Sequence, residues 1–139
     1  MAVKINTNTL KNKKCSFDFD TTLDRTVVQE LATELMARGV DVWVCTARFT
    51  DEEVETKGWG KDWNYDLWAV IDKLGIPREK VLFTGMQDKF KYLDEDFIWH
   101  LDDDGLELEI LEENSKVVGI NSWDNNEWRE RCLELLNGE

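Results

Sequence analysis

The chain is predicted to form an α/β domain on a five-stranded parallel sheet, and three features of the sequence carry this. Short apolar runs of strand length alternate with segments of helical periodicity along nearly the whole chain. One of those runs, Val42-Trp43-Val44-Cys45, is apolar without a break, as a parallel strand covered on both faces requires. Acidic and hydroxyl side chains gather just after the runs, where an open parallel sheet places its ligands.

The elements follow in order. Lys14 to Phe19 is short and largely apolar, and reads as the first strand. From about Asp24 to Arg38 the residues Val27, Val28, Leu31, Leu35 and Met36 share one helical face, and Gly39 ends the helix. Val40 to Cys45 is the second strand. Phe49 to Asp62 is polar and contains Gly, and is expected to be a loop or lid. Asp62 to Leu74 is helical with Leu67, Trp68, Ile71 and Leu74 facing inward, closed by Gly75-Ile76-Pro77. Val81 to Phe83 is the third strand, and Lys89 to Glu95 supplies one or two helical turns. Phe97 to Leu101 is the fourth strand and Val117 to Ile120 the fifth. Leu106 to Ile110 alternates like an exposed strand, yet its place between two strands favours a crossover helix. Asn126 to Asn137 forms a terminal helix. There is no internal repeat and no linker, so residues 1–139 are read as one domain.

The bulk numbers narrow the function. Thirty acidic against 17 basic residues give a net charge of −13, which repels a polyphosphate backbone and an anionic membrane surface. A long nucleic acid is therefore not expected as a partner. No apolar stretch is long enough to span a bilayer, and Met1 to Asn6 lacks the apolar run of a leader peptide. Cys15, Cys45 and Cys132 are odd in number without CxxC spacing, which suggests reduced thiols in a cytoplasmic protein. With His100 as the single histidine, zinc is not expected.

The reactive side chains fall at the strand ends. The first strand runs into Asp18-Phe19-Asp20-Thr21-Thr22, the second into Thr46-Ala47-Arg48, the third through Gly85 toward Lys89, and the fourth into Asp102-Asp103-Asp104. Phosphoryl transfer to a carboxylate needs such a set. In an extended segment Asp18 and Asp20 would point the same way. One can attack phosphorus, and the other can protonate the leaving oxygen and later activate water. Packed carboxylates repel one another, and a divalent cation relieves the repulsion. Clustered hard oxygens favour magnesium. Lys89 and Thr46 would hold the transferred phosphate by charge and hydrogen bond.

Asp18-Phe19-Asp20-Thr21-Thr22-Leu23 resembles the DxDGT[LV] signature of the haloacid dehalogenase (HAD) superfamily. Val42 to Arg48 is similar to its second motif, an apolar strand ending in Thr or Ser. Lys89 resembles the third-motif lysine, with Lys91 as the competing choice. Ile98 to Asp103 is similar to the fourth motif, an apolar strand ending in paired acids. The ordered set spans nearly the whole chain. The resemblance implies a single Rossmann-like, HAD-like three-layer domain and a phosphomonoester phosphatase working through an aspartyl-phosphate. It makes Asp18 the nucleophile and Asp20 the general acid/base. Thr46 and Lys89 bind phosphate, and Mg2+ is held by Asp18, the Asp20 backbone carbonyl, and Asp102 or Asp103. Thr21 stands where the signature carries Gly. One helix fills most of the interval from Asp20 to Thr46, and Thr46 to Lys89 is equally short, so no cap domain is expected. The order of features is also similar to the phosphatase half of polynucleotide kinase-phosphatases.

Other readings stand beside these. The substrate is read as a small phosphorylated metabolite or nucleotide. A nucleotidase or nucleic-acid end-processing phosphatase is the alternative enzyme, and a silent binding protein on the same fold is the alternative class. A response-regulator-like receiver is disfavoured because the third strand ends in Thr84-Gly85 without an Asp. Arg48 is either a substrate contact or a salt-bridge residue. Trp59, Trp63 and Tyr65 either pack the loop or stack on a base or sugar. His100 is read as structural, and Ser16 as lacking a histidine to activate it.

Overall fold

The computed structural model describes residues 10–124 and 127–138. Met1 to Asn6, which carry no apolar run, and Asn126, the predicted start of the last helix, lie outside them. The frame is one parallel sheet of five strands: β1 (Lys14–Phe17), β2 (Asp41–Thr46), β3 (Val81–Phe83), β4 (Phe97–Asp102) and β5 (Val118–Asn121). Their spatial order is β3-β2-β1-β4-β5, and every neighbouring pair is parallel. The chain steps outward from β1 in one direction to β2 and β3, then returns to lay β4 on the other side of β1. The order therefore reverses between β1 and β4, which makes their carboxyl ends the switch point of a Rossmann-like α/β fold.

The helices are α1 (Thr26–Ala37), α2 (Asp51–Thr56), α3 (Tyr65–Leu74), α4 (Gly105–Asn114) and α5 (Trp128–Leu136). Strand alternation sorts the core into two layers. Val42 and Val44 of β2, with Phe17, Trp99 and Leu101, pack against Leu31 and Leu35 of α1, Leu67 and Ile71 of α3, and Leu133 and Leu136 of α5. Trp43 and Cys45 point the other way, into a smaller cluster with Leu108 and Leu111 of α4. Right-handed crossovers explain the split: connections running in opposite directions along the sheet put their helices on opposite faces. Phe17 and Trp99 meet edge to face at 5.3 Å, and the Trp99 indole N–H donates to the Cys132 carbonyl at 3.0 Å. All three cysteines are buried free thiols. Among the described residues no helix is long and apolar enough to cross a membrane.

Several boundaries differ from the sequence reading. β1 ends at Phe17, because Phe19–Leu23 coils into a single wide turn. The expected lid contains α2, whose first turn is closed by a reciprocal cap: Glu53 N–H donates to the Thr50 hydroxyl, and Thr50 N–H to the Glu53 carboxylate. Val27 is half exposed rather than inward-facing; the buried stripe of α1 is Val28, Leu31, Ala32 and Leu35. Leu106 to Ile110 is helical, within α4. That helix is capped by Asp104, whose carboxylate accepts from Leu106 and Glu107 N–H at 3.1 and 3.3 Å. The alternating pattern at Leu106 to Ile110 reflects a helix that buries only Leu108 and Leu111.

Candidate active site

Two period-two ladders on the α4 side of the sheet build the site. Ser16 and Asp18 project from the end of β1, and His100 and Asp102 from the end of β4, with Ser16 and His100 in direct register. Asp18 N–H donates to the Leu101 carbonyl at 2.8 Å, so pairing with β4 continues as far as Asp18. The chain then leaves the strand. Leu23 N–H donates back to the Asp18 carbonyl at 3.1 Å and Asp24 N–H to that of Phe19 at 3.2 Å. Asp18 and Asp20 are consequently not aligned on one extended segment as the spacing suggested. Asp18 is buried and turned toward Lys89, whereas Asp20 is exposed and turned toward Arg48. Both still line one cavity of about 400 Å³, with Thr21, Ala47, Met86, Lys89, Asp102, Asp103 and Glu107.

Lys89 is the centre of the buried charge. Its ammonium donates to Asp18 Oδ1 at 2.9 Å and to Asp102 Oδ2 at 2.6 Å, and the side chain is almost wholly enclosed. Lys91, the competing lysine, is exposed. The Lys89 amide donates to Glu107 at 2.5 Å, which ties the lysine turn to α4. Burial alone would pull the Lys89 pKa down; the two carboxylates outweigh it and hold the ammonium charged. One lysine cannot neutralise both acids. Burial alone would raise Asp102, but His100 and Lys89 outweigh it and keep Asp102 below the usual carboxylate range. Burial, aided by the negative charge of Asp102, pushes Asp18 up to about 8 despite Lys89.

This imbalance bears on a cation. Oxygens of Asp18, Asp102 and Asp103 lie within 4.8 Å of one another. The donor set is all carboxylate, which suits magnesium or another hard divalent ion. A second positive charge beside Asp18 would offset the burial that keeps it protonated. The residues therefore fit Mg2+. The Asp20 carboxylate is not part of this cluster.

His100 and Ser16 behave differently from the sequence reading. Ser16 does have a histidine beside it: His100 Nδ1 lies 3.0 Å from Ser16 Oγ, and Nε2 lies 2.8 Å from Asp102 Oδ2. Burial lowers the His100 pKa and keeps the ring neutral. A neutral ring meets an anionic Asp102 by donating from Nε2–H, so Nδ1 accepts from the Ser16 hydroxyl. Ser16 is fully buried, so no substrate reaches it. The chain of bonds braces Asp102 instead, and Asp104 N–H steadies its other oxygen at 3.1 Å.

Thr46 and Arg48 occupy the end of β2. Thr46 is fully buried, and its hydroxyl accepts from the Arg48 amide at 3.3 Å; Ala47 is the residue that lines the cavity. The Arg48 guanidinium grips Asp20 with two bonds of 3.1 and 2.7 Å and Asp66 with two of 2.8 and 2.9 Å, and it also donates to the Trp63 carbonyl at 3.2 Å. The Asp66 hydrogen bonds, then those to Asp20, hold Arg48 firmly charged. Asp66, Glu107 and Thr21 were not foreseen as site residues. Thr21 has a left-handed backbone (φ 57°), and its hydroxyl donates to Asp103. The sequence signal for Thr21 was its place in the signature where Gly stands. Asp66 and Glu107 carry no sequence signal, because helices α3 and α4 bring them in from a distance.

No protein-family model, curated protein or solved structure matches the chain.

Proposed function

We propose that the chain is a magnesium-dependent phosphomonoester phosphatase of the HAD type, acting on a small phosphorylated metabolite or nucleotide. The observation that carries this reading is the meeting of Asp18, Asp102 and Asp103 within 4.8 Å, with Lys89 bonded to two of them, at the sheet's switch point. Asp18 attacks phosphorus, forming an O–P bond as the bond to the leaving oxygen breaks. Asp20 gives that oxygen a proton. Water then attacks the aspartyl-phosphate while Asp20 takes a proton back, which frees Asp18 and inorganic phosphate. Lys89 steadies the transferred oxygens by charge. Asp18, Asp102 and Asp103 would hold Mg2+, which when bound neutralises charge on the phosphoryl oxygens. The resemblance to the superfamily assigns Thr46 to phosphate binding, although Thr46 is fully buried and Ala47 takes its place in the cavity wall, and Arg48 is kept as a substrate contact beside its ion pairs with Asp20 and Asp66. Arg48 would have to loosen Asp20 for the acid to reach the leaving oxygen, and it keeps Asp66 as an anchor while doing so.

The test is phosphate release from a panel of phosphate esters with Mg2+, on the wild-type protein and on Asp18→Asn. The expected result is turnover that chelation abolishes and that Asp18→Asn lacks, with unchanged circular dichroism. Magnesium should also raise the melting temperature of the wild type more than that of Asp103→Asn. Full turnover in excess chelator would remove the metal role, and near wild-type turnover by Asp18→Asn would remove the covalent route.

A further inference from the structure

A second cavity, of about 450 Å³, adjoins the carboxylate cavity and shares Asp20, Ala47 and Met86 with it. Its other walls are Arg48, Phe49, Val54, Trp59, Trp63 and Asn64. The rings form a series: Phe49 meets Trp59 edge to face at 5.4 Å, and Trp59 lies 5.3 Å from Trp63 with planes tilted by 30°. Yet Trp59 and Trp63 are 43% and 56% exposed, and Met86 is 75% exposed. So much bare aromatic and thioether surface around one hollow marks a binding site more often than a packing accident. Tyr65 stands apart: it is exposed and does not line the hollow.

We infer that this alcove receives a flat aromatic ring carried on the leaving group of the phosphate ester. The inference rests on the phosphatase reading and narrows its substrate class. Three observations lead there. Asp20 and Arg48, the charged residues of the alcove, are paired with each other across bonds of 2.7 and 3.1 Å, so neither presents a free charge to an occupant. The half-exposed indoles of Trp59 and Trp63, with Met86, favour a planar, polarizable occupant over an aliphatic one, while Lys57 Nζ holds a place 5.2 Å from the Phe49 and Trp59 ring centroids. The wall common to both cavities includes Asp20, the proposed proton donor to the departing oxygen, so a leaving group held beside Asp20 borders the alcove. The fold also builds the hollow deliberately. Gly85 (φ 57°) lies under the Phe49 ring, where a Cβ would come within 3.1 Å of ring atoms.

The test compares kcat/KM with Mg2+ for adenosine 5′-monophosphate and O-phosphotyrosine against ribose 5-phosphate and glycerol 1-phosphate. Stacking of one ring contributes roughly 1–3 kcal/mol, so the better aromatic ester should lead the aliphatic ones by about 5- to 150-fold. Trp59→Leu and Trp63→Leu should each lower kcat/KM for that ester at least about fivefold more than for ribose 5-phosphate. A lead by adenosine 5′-monophosphate identifies the ring as a nucleobase; because a phenol leaves more readily than an alcohol, a lead by O-phosphotyrosine identifies a phenol only where Trp59→Leu or Trp63→Leu removes it, and a lead that survives both overturns the inference. Equal rates for aromatic and aliphatic esters, or equal losses on both in the leucine variants, overturn the inference. If no ester is turned over, the phosphatase reading fails and the alcove is judged by binding alone. Saturable quenching of tryptophan fluorescence by adenosine or p-cresol, weakened in Trp59→Leu, would keep the ring site; no saturable quenching by either would remove it.

Discussion

Thr21 occupies a left-handed conformation (φ 57°, ψ 19°) that a β-branched residue adopts only under constraint. Its hydroxyl lies against both Asp103 and, at 2.7 Å, the Asp20 carbonyl, and donates its one proton to either. The backbone strain is thus set against a hydroxyl that fixes one member of the acidic cluster. Two variants separate these effects. Thr21→Ala and Thr21→Gly both lose the hydroxyl, but only Gly escapes the left-handed penalty, so Thr21→Gly should be more stable than Thr21→Ala by about 1 kcal/mol. Urea unfolding measures the difference, and an alanine variant as stable as the glycine variant would contradict the strain. The departure from Gly at this position was legible in the sequence. The contact between Thr21 and Asp103 was not, because it joins two strand ends that only the sheet brings together.

Helix α2 has six residues, too few to persist without a cap and a contact. Thr50 and Glu53 provide the cap, Val54 buries inward, and the Asn64 side chain ties the segment down by donating to Phe49 O and Asp51 Oδ1 at 2.9 and 2.8 Å. Thr50→Ala should remove about 1 kcal/mol from this element. Native-state hydrogen exchange should then speed up about fivefold at the amides of Val54, Lys57 and Trp59, while the β1 and β4 amides keep their protection. Uniform acceleration across the chain would mean that α2 does not open by itself. The capping pattern Thr50-x-x-Glu53 was present in the sequence but was masked by the polar composition around it. By contrast, β3, the fourth strand and the Gly75 stop agree closely with the sequence reading, because continuous apolar runs and a left-handed Gly cap (φ 80°) are local signals.

At the scale of the whole molecule, the net charge of −13 surrounds a site proposed to bind an anion. The buried Lys89 attracts phosphate at close range, while the overall field repels it from afar. Added salt screens the long-range part first. The proposed phosphatase should therefore act more readily on a 3′-phosphorylated oligonucleotide as ionic strength rises at fixed free Mg2+, with kcat/KM increasing severalfold between about 10 and 150 mM salt, where the Debye length falls from about 30 to 8 Å. A mononucleotide should respond less, because it carries fewer charges through the same field. A fall in oligonucleotide turnover with salt, of the kind counterion release produces, would show that basic contacts outweigh the acidic surface.

Hydrophobic periodicity and strand-end chemistry are written locally, so the α/β class, the five parallel strands and the gathering of the acids, Thr46 and Lys89 at or beyond strand ends were legible in the sequence. The partners of those residues came from the packing of the whole chain. Register set Ser16 against His100, burial chose Lys89 over Lys91, the turn after Phe17 parted Asp20 from Asp18, and α3 carried Asp66 to Arg48. Side-chain chemistry depends on distances between residues far apart in the chain, and those distances follow from how the sheet twists and its helices pack, which no local pattern encodes.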